Sequence, residues 1–223
     1  LNENEIIVVG GRRRNLSSMA DAEIFNVDTK TTRTIAPFPR PISTANAIVS
    51  GTFDGVVIGG REGGANSPRT AEGHRYNPLT NEWDLMLDVD QEISRPTSIG
   101  LWDGGAIVCG GAFDESPYNS LNDVWFAEGV NLVAKIGDMQ NGRQWHGVAQ
   151  LNTDSVITGG GYDDGPVIRE TCDWIDLVNE TVTPGPSLNV GRSYSNFIAV
   201  PSHFTSNGVP TTANALRTGG LRQ

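Results

Sequence analysis

Pairs of glycine recur along this 223-residue chain at nearly regular intervals. Each pair follows a short apolar segment, of which IIVV at 6–9 and AIVC at 106–109 are the clearest. The steps between successive pairs are 49, 51, 49 and 60 residues, for Gly10-Gly11, Gly59-Gly60, Gly110-Gly111, Gly159-Gly160 and Gly219-Gly220. Self-similarity at about 50 residues is typical of repeat architectures. The chain is therefore expected to fold as a series of similar units.

The unit from residue 42 to residue 87 predicts four short strands. Residues 42–50 and 56–58 are rich in small and β-branched side chains, and Asp54-Gly55 between them is a strong hairpin signal. A polar loop at 61–70 follows the glycine pair. Two further strands, at 71–76 and 83–87, flank a turn built on Asn77, Pro78 and Asn81. These strands and turns predict a four-stranded antiparallel unit.

The other units repeat this order, with fewer strands in the first and the last. Strands are predicted at 5–9, 22–27 and 31–36; at 95–102, 105–109, 121–127 and 130–136; at 143–151, 154–158, 168–177 and 180–184; and at 192–200 and 215–218. No helix is predicted. Four-stranded units with this period predict an all-β fold, a β-propeller of which about 4–4.5 blades are present. The single domain, 1–223, divides into blade pieces of about 1–39, 40–88, 89–138, 139–186 and 187–223.

The sequence YNPLTNEW at 76–83 carries a family resemblance. FNVDTKTT at 25–32 and IDLVNETV at 175–182 are weaker copies that lack the Trp, and the third unit has Trp125-Phe126 after a shortened turn. With the glycine period, these motifs resemble kelch-repeat β-propellers, the superfamily that includes galactose-oxidase-like proteins. The resemblance spans essentially the whole chain and implies blades that surround a common axis.

The number of blades is lower than the five to seven that the resemblance implies. The residues supply three complete blades, a three-strand piece and a two-strand piece. An excerpt of a larger propeller is favoured, because a closed four-blade ring would duplicate the strand at 5–9 with the one at 215–218. A small closed propeller and a propeller completed by another chain remain alternatives.

Charge and hydropathy argue against several kinds of partner. The chain has 26 acidic and 16 basic residues, a formal net charge of −10. Nucleic acids are bound through a basic face that displaces counterions, so this balance argues against nucleic-acid binding. No apolar stretch approaches the roughly 18–20 residues that a membrane span needs.

Fourteen of the basic residues are Arg, which base composition or an extracellular or saline habitat would explain. An extracellular or cell-surface location is favoured over a cytoplasmic one.

One face of the predicted propeller carries most candidate binding residues. In a meander, the loops after each second strand and the connections between blades emerge on the same face. An Arg is predicted to open each first strand: Arg40, Arg95, Arg143 and Arg192. These side chains either bond carbonyls and acids between blades or hold the carboxylates of an acidic ligand. Arg61, Trp145, His146 and Tyr194 are further candidates for partner binding, with blade packing as their alternative role.

Signals for catalysis are weak. The three histidines are His74, His146 and His203, and no Gly-x-Ser-x-Gly or phosphate-binding glycine motif occurs. The acidic segments 112–123 and 161–165 lack the ligand spacing of an EF-hand. No catalytic residue, cofactor or metal site is predicted.

The resemblance implies binding of partner peptides on the loop face. The sequence is therefore interpreted as a non-catalytic protein-binding module or scaffold, with an acidic peptide segment as a candidate ligand. The alternative is a carbohydrate-active enzyme domain. Sugar-acid mutarotases share the scaffold, as do secreted copper-radical oxidases, which TCDW at 171–174 and Tyr194 faintly resemble. Fold alone does not decide between these functions.

Overall fold

The computed structural model describes residues 4–49, 55–63, 67–113, 119–129, 132–165, 167–200 and 214–218. These residues form 17 β-strands, and no helix occurs in these ranges. The described residues therefore contain no helix that is long and apolar enough to cross a membrane. The strands pair in chain order into antiparallel meanders: one sheet of three strands, three sheets of four and one of two. The prediction of an all-β chain is confirmed. Gly219-Gly220 and His203 lie outside the described residues.

The five sheets follow the predicted units. The first sheet contains β1 (Glu5–Val9), β2 (Ala22–Asn26) and β3 (Thr31–Thr34). The second contains β4 (Asn46–Ile48), β5 (Val56–Ile58), β6 (Thr70–Asn77) and β7 (Glu82–Ile93). The third contains β8 (Thr97–Gly100), β9 (Ala106–Cys109), β10 (Asp123–Gly129) and β11 (Leu132–Asp138). The fourth contains β12 (Gly147–Asn152), β13 (Ser155–Gly159), β14 (Cys172–Asp176) and β15 (Thr181–Pro184), and the fifth β16 (Asn196–Val200) and β17 (Asn214–Thr218).

The strands β4, β8, β12 and β16 are called the inner strands because consecutive members of this set lie next to one another. At the opposite edge of the sheets, β7 lies next to β11, and β11 lies next to β15. The sheets therefore stack face to face, with corresponding strands side by side.

Each apolar cluster of the core is shared by two consecutive sheets. Ile58 and Leu87 of the second sheet pack with Val108 and Trp125 of the third. The next cluster joins the third sheet to the fourth, and others join the first to the second and the fourth to the fifth. No sheet could bury its apolar faces alone, so the stack is the unit that excludes water.

An Asx side chain closes the turn before the last strand in three of the sheets. Oδ1 of Asn77 accepts a hydrogen bond from the N–H of Leu79 at 3.0 Å. Asn26 and Asp176 accept the same bond from the residue two positions on. Four residues after each acceptor, the chain has a left-handed φ of 51–57°, at Lys30, Asn81 and Glu180. Short polar side chains favour this turn because they replace a backbone acceptor.

The YNPLTNEW segment also joins the second sheet to the first. Nε1 of Trp83 donates to the carbonyl of Ala36 at 2.9 Å, and Oδ1 of Asn81 accepts from the N–H of Ala36 at 3.0 Å. Tyr76 donates its hydroxyl proton to the same Oδ1 at 2.9 Å. The motif is thus both a turn and an inter-sheet clamp.

The glycine pairs form the joints between sheets. The N–H of Gly111 donates to the carbonyl of Arg143, which precedes the next inner strand, at 2.8 Å. The same bond joins Gly11 to Ile42, Gly60 to Ile93, and Gly161 to Arg192. In the fourth sheet the joint therefore uses Gly160-Gly161, not the predicted Gly159-Gly160, because Gly159 stays in β13 and pairs with Cys172. Because Gly159, Gly160 and Gly161 are consecutive, the sequence did not show which two of them form the joint.

The inner strands begin later than predicted. Residues Thr44, Arg95, Trp145 and Tyr194 adopt a left-handed φ of 52–57°, which interrupts the extended chain before each inner strand. As a result, β4, β8, β12 and β16 begin at 46, 97, 147 and 196, where the sequence predicted 42, 95, 143 and 192. Nothing in the composition of these positions signals the left-handed turn, since none of them is Gly, Asn or Asp.

Candidate functional site

A cavity of about 370 Å³ lies where the four inner strands begin. Four sheets contribute corresponding positions to its lining: residues 44–46, 95–97, 145–146 and 194–196. Concave sites of a few hundred Å³ are where small ligands and anchoring side chains bind. The cavity is therefore the candidate functional site.

Four residues with left-handed backbone surround this cavity. For a non-glycine residue this conformation costs roughly 1–2 kcal/mol, and such strain concentrates at functional sites. Hydrogen bonds between sheets stabilise this backbone conformation. The N–H of Arg95 donates to the carbonyl of Thr44 at 2.8 Å, and the N–H of Tyr194 donates to the carbonyl of Trp145 at 2.9 Å.

Three of the predicted binding residues contact one another in the cavity lining. The guanidinium carbon of Arg95 lies 4.3 Å from the ring centroid of Trp145, a cation–π geometry. The ring of Tyr194 is inclined by 31° to that of Trp145, with centroids 4.7 Å apart. Tyr194 is 47% exposed, whereas Arg95 is 9% exposed. The lining thus presents a cation stacked on an aromatic pair that remains open to ligand.

Two residues that the sequence did not indicate hold this stack in position. Oε1 of Gln144 accepts a hydrogen bond from Nη1 of Arg95 at 2.7 Å, and Gln144 is only 1% exposed. Tyr162 makes T-shaped contacts with both aromatic rings, with centroids 5.7 Å from Trp145 and 6.0 Å from Tyr194. Neither residue belongs to a recognisable motif, so only their position beside the inner strands reveals their role.

His146 extends the site into the core. Its Nε2 lies 3.4 Å from the sulfur of Cys109, whose thiol donates to the hydroxyl of Thr158, which in turn donates to the carbonyl of Gly147. Burial raises the pKa of the Cys109 thiol to about 12. Burial, followed by the charge of Arg143, holds the pKa of His146 well below its ordinary value. His146 is therefore neutral, so only one of its two ring nitrogens carries a proton.

Several polar atoms of the lining residues have no hydrogen-bond partner in the described part of the chain. They are Oγ1 of Thr44, Nδ1 of His146 and Oγ of Ser195. Buried polar atoms are normally satisfied, so these three are exceptions, and each lies enclosed behind the cavity wall rather than on its open surface.

Arg143 is enclosed and does not face the cavity. Its Nη2 donates to Oδ2 of Asp173 at 2.7 Å, and its Nη1 donates to the carbonyl of Thr171 at 2.7 Å. The side chains of Arg143 and Asp173 are 0% and 1% exposed. Burial lowers the pKa of Arg143, and the charge of Asp173 opposes that effect. The geometry therefore agrees with a structural role for Arg143 and not with a role in holding the carboxylate of a ligand.

The four predicted strand-opening arginines do not occupy corresponding positions. The residues that accept the glycine bond occupy corresponding positions, and they are Ile42, Ile93, Arg143 and Arg192. Arg95 lies two residues after Ile93 and therefore does not correspond to Arg143. Arg40 lies away from the lining and pairs with Glu72 at 2.6 Å and Glu62 at 3.4 Å. Arg61 is 4% exposed and follows β5. The uneven spacing of these arginines, 55, 48 and 49 residues, was the sequence signal of this difference.

Among the described residues, no group of three or more His, Cys, Asp or Glu side chains is arranged to hold a metal ion. No protein-family model matches the chain, and no curated protein matches its sequence.

Proposed function

We propose that the five sheets are blades of a kelch-type β-propeller. Three features support this proposal: the 50-residue period, the side-by-side inner strands and the recurring glycine joint between consecutive sheets. On this proposal the inner strands surround the propeller axis, and the cavity lies on that axis at the loop face.

We further propose that the chain is a non-catalytic binding module whose cavity takes a carboxylate side chain of an acidic protein segment. The observation that carries this proposal is the stack of Arg95 on Trp145 beside Tyr194. A guanidinium held at an aromatic face offers a planar donor pair for a carboxylate. Trp, Tyr and Arg are also the residues that most often dominate binding energy at protein interfaces.

The charge of the cavity lining supports an anionic ligand. The chain as a whole has a net charge of −10, yet the described lining residues include one Arg and no Asp or Glu. A carboxylate entering the cavity therefore avoids like charges at its walls. Acidic residues elsewhere on the surface would repel such a ligand, so we expect short acidic segments to bind better than long ones.

Binding of a fluorescein-labelled peptide that carries one Glu in an uncharged sequence tests the proposal. Replacing Arg95 with Met should weaken binding at least about tenfold, because the charged hydrogen bonds are lost. Arg13→Met is the matched control, since Arg13 is exposed, carries the same charge and pairs only with Asp21 at 3.1 Å in the described part. Equal affinities of Arg95→Met and Arg13→Met in anisotropy titrations would refute the proposal.

A carbohydrate ligand is the second candidate, because a half-exposed Tyr ring and the amides of Asn46 and Asn196 line the same cavity. Aromatic faces and amide side chains suit a polyhydroxylated ring. Titration with glucuronate and glucose, followed by Trp fluorescence, separates the two proposals. Saturation by glucuronate, with no binding of the Glu peptide, would assign the cavity to a sugar acid.

A further inference from the structure

The strand β1 exposes side chains that corresponding strands bury. Val8 lies two residues before the first glycine of its joint, as Val57 and Val108 do in the second and third sheets. Val8 is 50% exposed, whereas Val57 and Val108 are 7% and 1% exposed. Ile6 is likewise 52% exposed, and its counterpart in β9, Ala106, is fully buried. Val57 packs with Phe38 and Ile42, and Val108 packs with residues of the second sheet, so the difference reflects what covers this face of β1 and not its composition.

The edge of β1 that faces away from β2 carries no strand in the described residues. In the second sheet, β5 pairs with β6 on one side and with the inner strand β4 on the other. The N–H of Gly10 donates to the carbonyl of Asp21, on the β2 side. Because backbone groups alternate along a strand, those of Ile7 and Val9 point to the other edge. Their counterparts Val56 and Ile58 pair with Ile48 and Asn46 of the inner strand.

Arg12 provides a second and independent docking point. In the next three sheets, the residue after the glycine pair exchanges two backbone hydrogen bonds with the segment before the inner strand. These pairs are Arg61 with Ser43, Ala112 with Ser94, and Tyr162 with Gln144, at 2.8–3.0 Å. Arg12 occupies the corresponding position and bridges to Ser18 on its other side. No described residue makes this exchange with Arg12.

We propose that the edge formed by Ile7, Val9 and Arg12 is a docking site for an extended, uncharged segment of a partner protein, with a sequence that resembles the inner strands. The segment adds antiparallel to β1, as in β-augmentation. Its chemistry follows from the four inner strands, which contain no charged residue: NAI, TSIG, GVAQLN and NFIAV. Its register follows from the fourth sheet, where Gly147 pairs with Gly159 and Ala149 with Ile157. This proposal is independent of the acidic ligand, since it concerns another surface.

A synthetic peptide with the sequence of residues 144–152, QWHGVAQLN, is the probe. Its first Gln should face Arg12, its Gly should face Val9 and its Ala should face Ile7. Hydrogen exchange at saturating peptide should slow about tenfold or more at the amides of Ile7, Val9 and Arg12. The amides of Ile6 and Val8 already face β2 and should not change.

Two N-methylated peptides provide the matched control. A methyl group on the peptide nitrogen of the Ala that corresponds to Ala149 removes a donor that faces β1, so binding should be lost. The same group on the residue that corresponds to Val148 points away from β1 and should leave binding unchanged. Equal binding of both peptides, or unchanged exchange at the three amides, would overturn the proposal. Protection that rises with protein concentration without peptide would instead assign this edge to a second copy of the chain.

Discussion

Arg143 carries the largest fully buried side chain among the described residues, and its charge is compensated by Asp173. Removing one member of such a pair leaves an uncompensated buried charge, which typically costs about 3–5 kcal/mol. We therefore expect Arg143→Met to lose that much stability in urea unfolding. Arg192 occupies the corresponding position but is only partly buried, so Arg192→Met should cost less than about 1 kcal/mol. A double variant, Arg143→Met with Asp173→Asn, should recover most of the loss. Near-native stability of the single Arg143 variant would contradict a structural role.

His146 makes stability depend on pH. Its pKa in the folded state is held well below 6.5 by burial and by Arg143, so the unfolded chain takes up the proton first as the pH falls. Stability is therefore fully present above about pH 6.5 and falls below it, by up to about 1.4 kcal/mol per pH unit. Replacing His146 with Gln should flatten this dependence in urea midpoints measured between about pH 7.5 and 5. The pKa of His74 is also lowered, chiefly by burial. The variant His74→Gln therefore measures how much of the pH dependence comes from this second histidine. An unchanged pH profile in the His146 variant would assign the dependence to other groups.

At the scale of the strand and turn, Asn81 combines two properties that substitution can separate. It has a left-handed φ of 57°, and its Oδ1 accepts two hydrogen bonds, one from Ala36 that joins the first and second sheets and one from Tyr76 within the second sheet. Asn81→Gly keeps the backbone conformation and loses the bonds, so we expect a loss of about 1–2 kcal/mol. Asn81→Ala also strains the backbone and should lose about 1 kcal/mol more. Thermal unfolding of the two variants measures both effects. If they are equally stable, the left-handed conformation contributes nothing to the role of this position.

The strands could be predicted from the sequence because their signals are local. Apolar runs, Asx turns and glycine pairs placed β5, β9 and the YNPLTNEW turn within a few residues of their observed bounds. The candidate site was only partly predictable. Trp145, His146 and Tyr194 were identified beside the inner strands, but the contact of Gln144 with Arg95 joins residues 49 positions apart. The left-handed backbone of Trp145 and Tyr194 is imposed by bonds between sheets, so no local propensity signals it.

At the scale of the whole molecule, stability depends on joints that repeat between consecutive sheets. Sheets that share each core cluster with a neighbour behave as a chain of coupled units, in which damage at one joint spreads to both sides. Gly11 and Gly111 allow this coupling to be tested, because they have nearly the same φ, 99° and 98°. They differ in crowding: a Cβ on Gly111 would lie 2.8 Å from the carbonyl oxygen of Ser94, whereas the nearest atom to one on Gly11 is 3.9 Å away.

Alanine at either glycine should therefore cost about 1–2 kcal/mol for the backbone conformation alone. Gly111→Ala should cost about 1–3 kcal/mol more, because the segment before β8 must move to admit the methyl group, which also disturbs the bond from Gly111 to Arg143 ahead of the fourth sheet. Urea unfolding measures the difference, and hydrogen exchange locates it. We expect Gly111→Ala to reduce protection in both β9 and β13, and Gly11→Ala to reduce it mainly in β1. Equal losses in the two variants would show that crowding at the joint does not limit stability. Loss confined to β9 in the Gly111 variant would show that the sheets unfold independently.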